Sequence, residues 1–205
     1  MKIVVGLGNP GARYASTRHN IGSRIVERFG AEHGIALSER KFGSRFGRGR
    51  LAAAQHTPLD DVDLEVALLA PQTYMNRSGD AIAEALRGLA VENIEEDLLV
   101  VLDDLDLPFG CLRIRPWGGS AGHRGLESVC ERIGSGRFPR LRFGIGRPDA
   151  GTEAVDWVLQ SFSATEEIAL ERRIPLATEA IGAILLDGVV ASMNRYNRDA
   201  DAGYP

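Results

Sequence analysis

Leu98-Leu99-Val100-Val101-Leu102 is an aliphatic run with no polar break. A strand with one face in water alternates apolar and polar side chains, whereas an unbroken run belongs in a sheet covered on both faces. Such cover requires helices packed on either side of a largely parallel sheet. The rest of the chain agrees. Further strands are predicted from Ile3 to Gly6, Gly47 to Ala53, Leu64 to Leu69, Leu112 to Arg115 and Arg140 to Ile145. Helices are predicted from Asn20 to His33, Gly79 to Leu89, Gly122 to Ile133 and Thr165 to Leu186. Ser44 to Gln55 and Leu64 to Leu69 read as an antiparallel pair joined by the polar turn around Pro58 to Asp61. The expected fold class is α/β, a twisted, mixed and mostly parallel sheet flanked by helices on both faces. A chain of 205 residues makes this one domain, over 1–197, with a small, polar, frayed tail at 198–205.

Composition narrows the class without naming it. Hydrophobic residues at 44% and charged residues at 25% suit an ordinary soluble domain. No apolar run approaches a membrane span, and the stretch after Met1 is too short for a signal peptide. Cys111 and Cys130 form neither a disulfide framework nor a metal-ligand spacing. The expected compartment is the cytoplasm, and the expected state a monomer.

The loop after the first strand, Gly6-Leu7-Gly8-Asn9-Pro10-Gly11, has the letters of a dinucleotide-binding turn. Pro10 removes a backbone donor from it, and residues 12–17 carry no apolar helical stripe, so a pyrophosphate lacks its helix N-terminus. Glu39, after Ile35-Ala36-Leu37, supplies an acid for a ribose, but acids are common enough to supply one by chance. The loop is better suited to presenting Asn9 and, shortly after it, His19 in Thr17-Arg18-His19-Asn20. Asn76 follows the strand ending at Leu69, and Asp103 follows the aliphatic run. If those strands are parallel, these polar residues gather at the strands' carboxyl ends, where α/β sheets bind ligands.

Each of these residues has a plainer use. Asn9 serves as a turn residue before Pro10, Asn76 as a turn or N-cap residue, and His19 as a structural histidine. Asp103, Asp104 and Asp106 form a sparse candidate for a divalent cation. Together, however, they make a coherent hydrolytic set. A neutral imidazole can take a proton from water at neutral pH, and a carboxylate on its far nitrogen sets its tautomer. Asparagine amides can donate to a developing oxyanion. No serine elbow, reactive cysteine setting or zinc motif competes, which points to direct attack by water on an acyl group.

The net charge of −4 conceals an uneven distribution. Residues 113–147 hold Arg113, Arg115, Arg124, Arg132, Arg137, Arg140, Arg142 and Arg147 against Glu127 and Glu131, a local +6 opposed by −10 elsewhere. A second basic run spans Arg40, Lys41, Arg45, Arg48 and Arg50. A solvated face explains such a run. Arginine at all eight basic positions of 113–147, with its bidentate fork, favours a polyanion such as RNA.

Five segments, in order, resemble the bacterial-type peptidyl-tRNA hydrolases: residues 5–11, Tyr14 with 17–20, residues 71–79, 103–110 and 140–148. The resemblance implies hydrolysis of the ester joining a peptide, or an N-blocked aminoacyl group, to the 3′ ribose of tRNA. It implies His19 as base and Asp103 as its partner. Asn9 and Asn76 would position peptide and water and stabilise the transition state, with Tyr14 and Met75 along the substrate. Arg115 and Arg142 would grip the tRNA 5′-phosphate. No metal or organic cofactor is implied, and the partner is peptidyl-tRNA at its acceptor stem and 3′ end. One position departs: Arg124 stands where many members have asparagine, so either His123 takes over that contact or Arg124 holds a phosphate. A non-catalytic RNA-binding relative is the alternative reading, and an oxidoreductase a remote one.

Overall fold

The computed structural model describes residues 1–51, 64–148 and 151–197. Among these residues seven strands form one sheet: β1 (Lys2–Gly6), β2 (Glu39–Lys41), β3 (Ser44–Leu51), β4 (Leu64–Pro71), β5 (Leu98–Asp104), β6 (Leu112–Arg115) and β7 (Arg140–Gly144). Their order is β2-β3-β4-β1-β5-β7-β6. β4, β1, β5 and β7 run parallel, while β3 is antiparallel to β2 and β4, and β6 to β7. β5 is buried along its whole length, as its unbroken aliphatic run requires.

The intervening helices are α1 (Ile21–Glu32), α2 (Ser78–Gly88), α3 (Ile94–Asp97), α4 (Arg124–Ile133), α5 (Ala154–Val158), α6 (Ala164–Leu186) and α7 (Val189–Tyr196). Two apolar layers result. Ile21, Ile25 and Phe29 of α1 pack with Leu170, Ala177 and Ile181 of α6 against Val4, Val101 and Phe143. On the opposite face Ile82 and Leu86 of α2 pack with Leu126 and Val129 of α4 against Val5, Leu69 and Val100. The sheet is thus covered on both sides.

Several expectations shift. β3 starts at Ser44 and pairs antiparallel with β4, as the Ser44 to Gln55 segment predicts and three residues before the strand expected from Gly47; residues 52–55, the turn around Pro58 to Asp61 and the tail from 198 lie outside the described residues. α4 starts at Arg124, not Gly122, because the His123 side chain accepts the N–H groups of Gly125 and Leu126 and so ends the loop as an N-cap. β2, α3, α5 and α7 were not predicted. Each is short, and a single turn of helix has no stability of its own without tertiary contacts. α7 is held by buried Ser192 and Tyr196. Just beyond it Asn197 takes the N–H of Ile114 (2.7 Å) and donates to its carbonyl (3.1 Å), satisfying the open edge of β6.

Two glycines set the placement of α1. A Cβ on Gly22 would collide with the Val101 carbonyl on β5, and one on Gly6 with the Gly22 carbonyl. Close contact lets Ser23 N–H donate to the Leu7 carbonyl (3.0 Å), fastening the start of α1 to the end of β1. The turn before α1, Arg18–Asn20, is thereby held over the carboxyl ends of β1 and β5. The loop after β1 itself opens no long helix. Gly11 has φ 94° and only a short 3₁₀ turn, Ala12–Tyr14, follows, so the helix end that a dinucleotide needs is missing. Glu39 stands exposed on the edge strand β2, off the switch point.

Candidate active site

β1 lies between β4 and β5, and all three are parallel, so the sheet's switch point opens at their carboxyl ends. A cavity of about 790 Å³ occupies that place. Asn9, Tyr14, His19, Met75, Asn76, Asp103, His123, Arg124 and Arg142 all line it. Arg115 does not.

Asp103 joins two histidines. His19 Nδ1 lies 2.8 Å from Asp103 Oδ1 and 3.0 Å from Oδ2, and His123 Nε2 lies 2.9 Å from Oδ1. The ring centroids are 4.7 Å apart. The protons can be assigned. His123 Nδ1 accepts backbone N–H groups from Gly125 and Leu126, both at 3.1 Å, so its proton must sit on Nε2 and point at Asp103. His19 Nδ1 donates to the same carboxylate, which leaves the Nε2 lone pair of His19 without a protein partner among the described residues. Burial opposes ionisation of Asp103, but the two imidazoles reverse this and hold its carboxyl well below the usual carboxylate range. The sequence offered His123 as a substitute for the substrate contact of the asparagine that Arg124 replaces, not as a partner of Asp103. Its double role, helix cap and carboxylate donor, depends on a turn that returns it over the sheet.

Asn9 is held from both sides. Its N–H donates to Asn20 Oδ1 (2.8 Å), Asn20 Nδ2 donates to its carbonyl (2.9 Å), and its own Oδ1 accepts the Met75 N–H (2.8 Å). The amide orientation is therefore set, and the Asn9 Nδ2 donors have no protein partner among the described residues. This long-range bond to Met75 replaces the local turn role open to Asn9 in the sequence. Asn76 is exposed in the 3₁₀ turn Met75–Arg77 and caps no helix, since Tyr74 and Arg77 occupy the cap positions. Asn20 had passed as a mere helix start. Its adjacency to His19 was the available signal.

The arginine-rich segment is largely spoken for. Arg132 pairs with Asp80, Arg137 with Glu95, Arg147 with Asp106 and Arg142 with Asp104. Arg113 is engaged as well. Arg140 is buried against carbonyl oxygens. Among the described residues Arg115 and Arg124 have no such partner. The summed charge of the segment therefore overstates the cation open to a ligand. The early basic run is similarly spent, with Arg45 on Glu27 and Arg48 on Glu65. Arg115 faces Arg140 across the β6–β7 ladder, which makes Arg142 its diagonal neighbour on the same face. Arg142 Nε lies 2.6 Å from Asp104 Oδ2, off-line for a hydrogen bond, so that buried oxygen keeps an ion pair but no donor. Burial, only partly offset by the Asp106 N–H and by Arg142, raises the Asp104 carboxyl above its ordinary value.

The wall formed by α5 is tied to the histidine turn by Arg18. The Arg18 guanidinium lies 3.6 Å from the centroid of the Trp157 ring and donates to both carboxylate oxygens of Glu166 (3.0 and 2.8 Å) and to the Ser161 carbonyl (2.6 Å). Glu166 also closes the capping box of α6 with Ser163. Arg18→Met should remove this tie. Breaking so buried an ion pair costs about 3 kcal/mol, a fall in Tm of roughly 6–12 °C for a chain of this size. kcat should drop while tRNA affinity holds, as read by thermal unfolding and steady-state kinetics. An unchanged Tm would show that the tie carries no load.

The three acids Asp103, Asp104 and Asp106 face different partners and do not converge on one point. Atoms of His19, Asp103 and His123 that could bind a metal do lie within 4.8 Å of one another. They do not fit that use, because the facing atoms are already joined by N–H···O bonds and the backbone on Nδ1 keeps the proton on His123 Nε2.

Fold and site together define a doubly wound α/β protein with a histidine–carboxylate pair opening into the switch-point cavity. A family model described as peptidyl-tRNA hydrolase matches residues 3–203, and the chain belongs to that family. It is 44% identical to a peptidyl-tRNA hydrolase of Symbiobacterium thermophilum, over 96% of this chain and 98% of that protein. It is 42% identical to one from Chloroflexus aggregans, over 96% and 99%. The crystal structure of peptidyl-tRNA hydrolase from Acinetobacter baumannii superposes with a TM-score of 0.84 at 33% identity, covering 96% of this chain and 94% of that one.

Proposed function

We propose that this chain hydrolyses the ester between a peptide, or an N-blocked aminoacyl group, and the 3′ ribose of tRNA. The observation that carries the reading is His19, with Nδ1 held by Asp103 and Nε2 without a protein partner among the described residues, in the cavity that Asn9 also lines. His19 Nε2 takes a proton from water as its oxygen attacks the ester carbonyl, and Asp103 stabilises the imidazolium that forms. Asn9 Nδ2 and the Asn76 amide donate to the developing oxyanion, while Tyr14 and Met75 border the substrate. The imidazolium then returns its proton to the departing ribose oxygen. Neither metal nor organic cofactor enters this sequence, and the enzyme acts as a cytoplasmic monomer. Purified protein should release N-acetyl amino acid from N-acetyl-aminoacyl-tRNA without added metal. No release under those conditions overturns the reading.

Arg115 and Arg142 form the phosphate clamp in this reading, with Arg124 at the first turn of α4 as a third cation on the substrate. Arg115→Ala should raise KM for peptidyl-tRNA roughly tenfold and flatten the log–log salt dependence of tRNA binding by about 0.7–0.9. A minimal ester lacking the tRNA 5′ end should be hydrolysed as before. Arg142→Ala should do the same and also lower Tm, because it strands the buried Asp104. Equal losses on both substrates would show that these arginines serve the chemistry or the fold instead.

A further inference from the structure

Trp117 stands 58% exposed on the turn that leaves β6, although a ring of this size usually finds cover. The backbone beneath it is fixed. Buried Arg140 sends Nη1 to the carbonyls of Gly118 (2.7 Å) and Gly119 (3.3 Å), and Nη2 to that of Gly136 (2.7 Å). The Gly118 N–H adds a 3.4 Å bond to Gly136. A buried guanidinium is thus spent on glycine carbonyls rather than on a carboxylate, and the indole is carried on a braced turn instead of folding down into the core. Its surroundings are charged, not apolar. The Arg137 guanidinium, which is paired with Glu95, lies 5.5 Å from the ring centroid, and Arg115, the last residue of β6, is two residues back in the chain. Arg115 has no acidic partner among the described residues. In the other direction, Ser120 and the residues after it line the cavity.

We propose that Trp117 is a stacking platform for a nucleobase at the acceptor end of tRNA, working beside Arg115 as the phosphate contact. An exposed aromatic face, with an arginine two residues away that has no acidic partner among the described residues, suits a polyanion whose bases present π surfaces, and unpaired nucleotides offer those surfaces free. An apolar protein partner would instead meet arginine and glycine around the ring. The assignment rests on tRNA being the substrate, and it adds a contact that phosphate recognition does not need.

Trp117 and Trp157 are the two tryptophans of the chain, so the difference in emission between wild type and Trp117→Phe reports on position 117. Saturating deacylated tRNA should quench the wild-type signal and leave that of Trp117→Phe almost unchanged. Trp117→Ala should raise KM for N-acetyl-aminoacyl-tRNA roughly tenfold with kcat retained, and Trp117→Phe should keep most of the affinity. The salt slope should stay at its wild-type value in Trp117→Ala, in contrast to Arg115→Ala, since no charge is lost. Unchanged emission with tRNA bound, or a wild-type KM in Trp117→Ala, overturns the assignment. Quenching by tRNA in a protein that releases no N-acetyl amino acid would overturn the esterase reading and still support the stacking site.

Discussion

His19→Ala should fold and bind tRNA normally, yet hydrolyse N-acetyl-aminoacyl-tRNA roughly 10²- to 10⁴-fold more slowly, the range expected when a general base is lost. The geometry separates the two properties. Among the described residues His19 has a single side-chain hydrogen-bond partner, Asp103, while the turn that carries it is held independently by Arg18, Asn20 and Thr17. Single-turnover rates and tRNA titration on the same preparation measure both. Turnover close to wild type would remove His19 from the mechanism.

Asp103→Asn should reduce kcat by about 10²- to 10⁴-fold, for a reason specific to this site. Oδ1 accepts from both rings and Oδ2 from His19 alone, and an amide keeps only one of these two acceptor atoms. His123 claims it, because its tautomer is set by two backbone donors. The new NH₂ group then faces His19 Nδ1 where Oδ2 stood, 3.0 Å away, and favours the tautomer with its proton on Nε2. That tautomer has no lone pair toward the cavity. Asp104→Asn and Asp106→Asn should cost much less, since those carboxylates pair with arginines. A severe Asp104 or Asp106 variant with a mild Asp103→Asn would mean that the wrong carboxylate has been assigned.

The same residue predicts a pH effect on stability. Asp103 titrates below its ordinary value of 3.8 in the folded protein, so its ionised form favours folding. That contribution is present above the unfolded value and is lost as pH falls through the folded one. Denaturant unfolding from pH 7 down to 3 should show wild type losing ground to Asp103→Asn at the acid end. A constant difference across that range would remove the coupling.

Periodicity and strand-end chemistry made much of this protein legible. The aliphatic run at Leu98 to Leu102 sufficed to call for a two-sided sheet, and Asn9, Asn76 and Asp103 could be placed at strand ends before their strands were known to be parallel. Parallel pairing then puts them around one cavity, since equivalent ends of parallel strands share an edge. The short elements were hidden for a physical reason. α5 is one turn long and is held by Trp157, whose partner Arg18 is distant in the chain.

Charge was the least legible property. Eight arginines in one segment suggested an open cationic face, but the fold sets acids from other segments, such as Asp80 and Glu95, against several of them. His123 shows the same limit at the site itself. By itself the sequence determined the layered α/β class and the residues with the chemistry to act, because hydrophobic period and functional groups are properties of the chain. Only the tertiary structure decided which groups meet, which nitrogen carries each proton and which arginines stay open to a ligand. Those depend on distances of about 3 Å between residues far apart in sequence, and no local pattern encodes them.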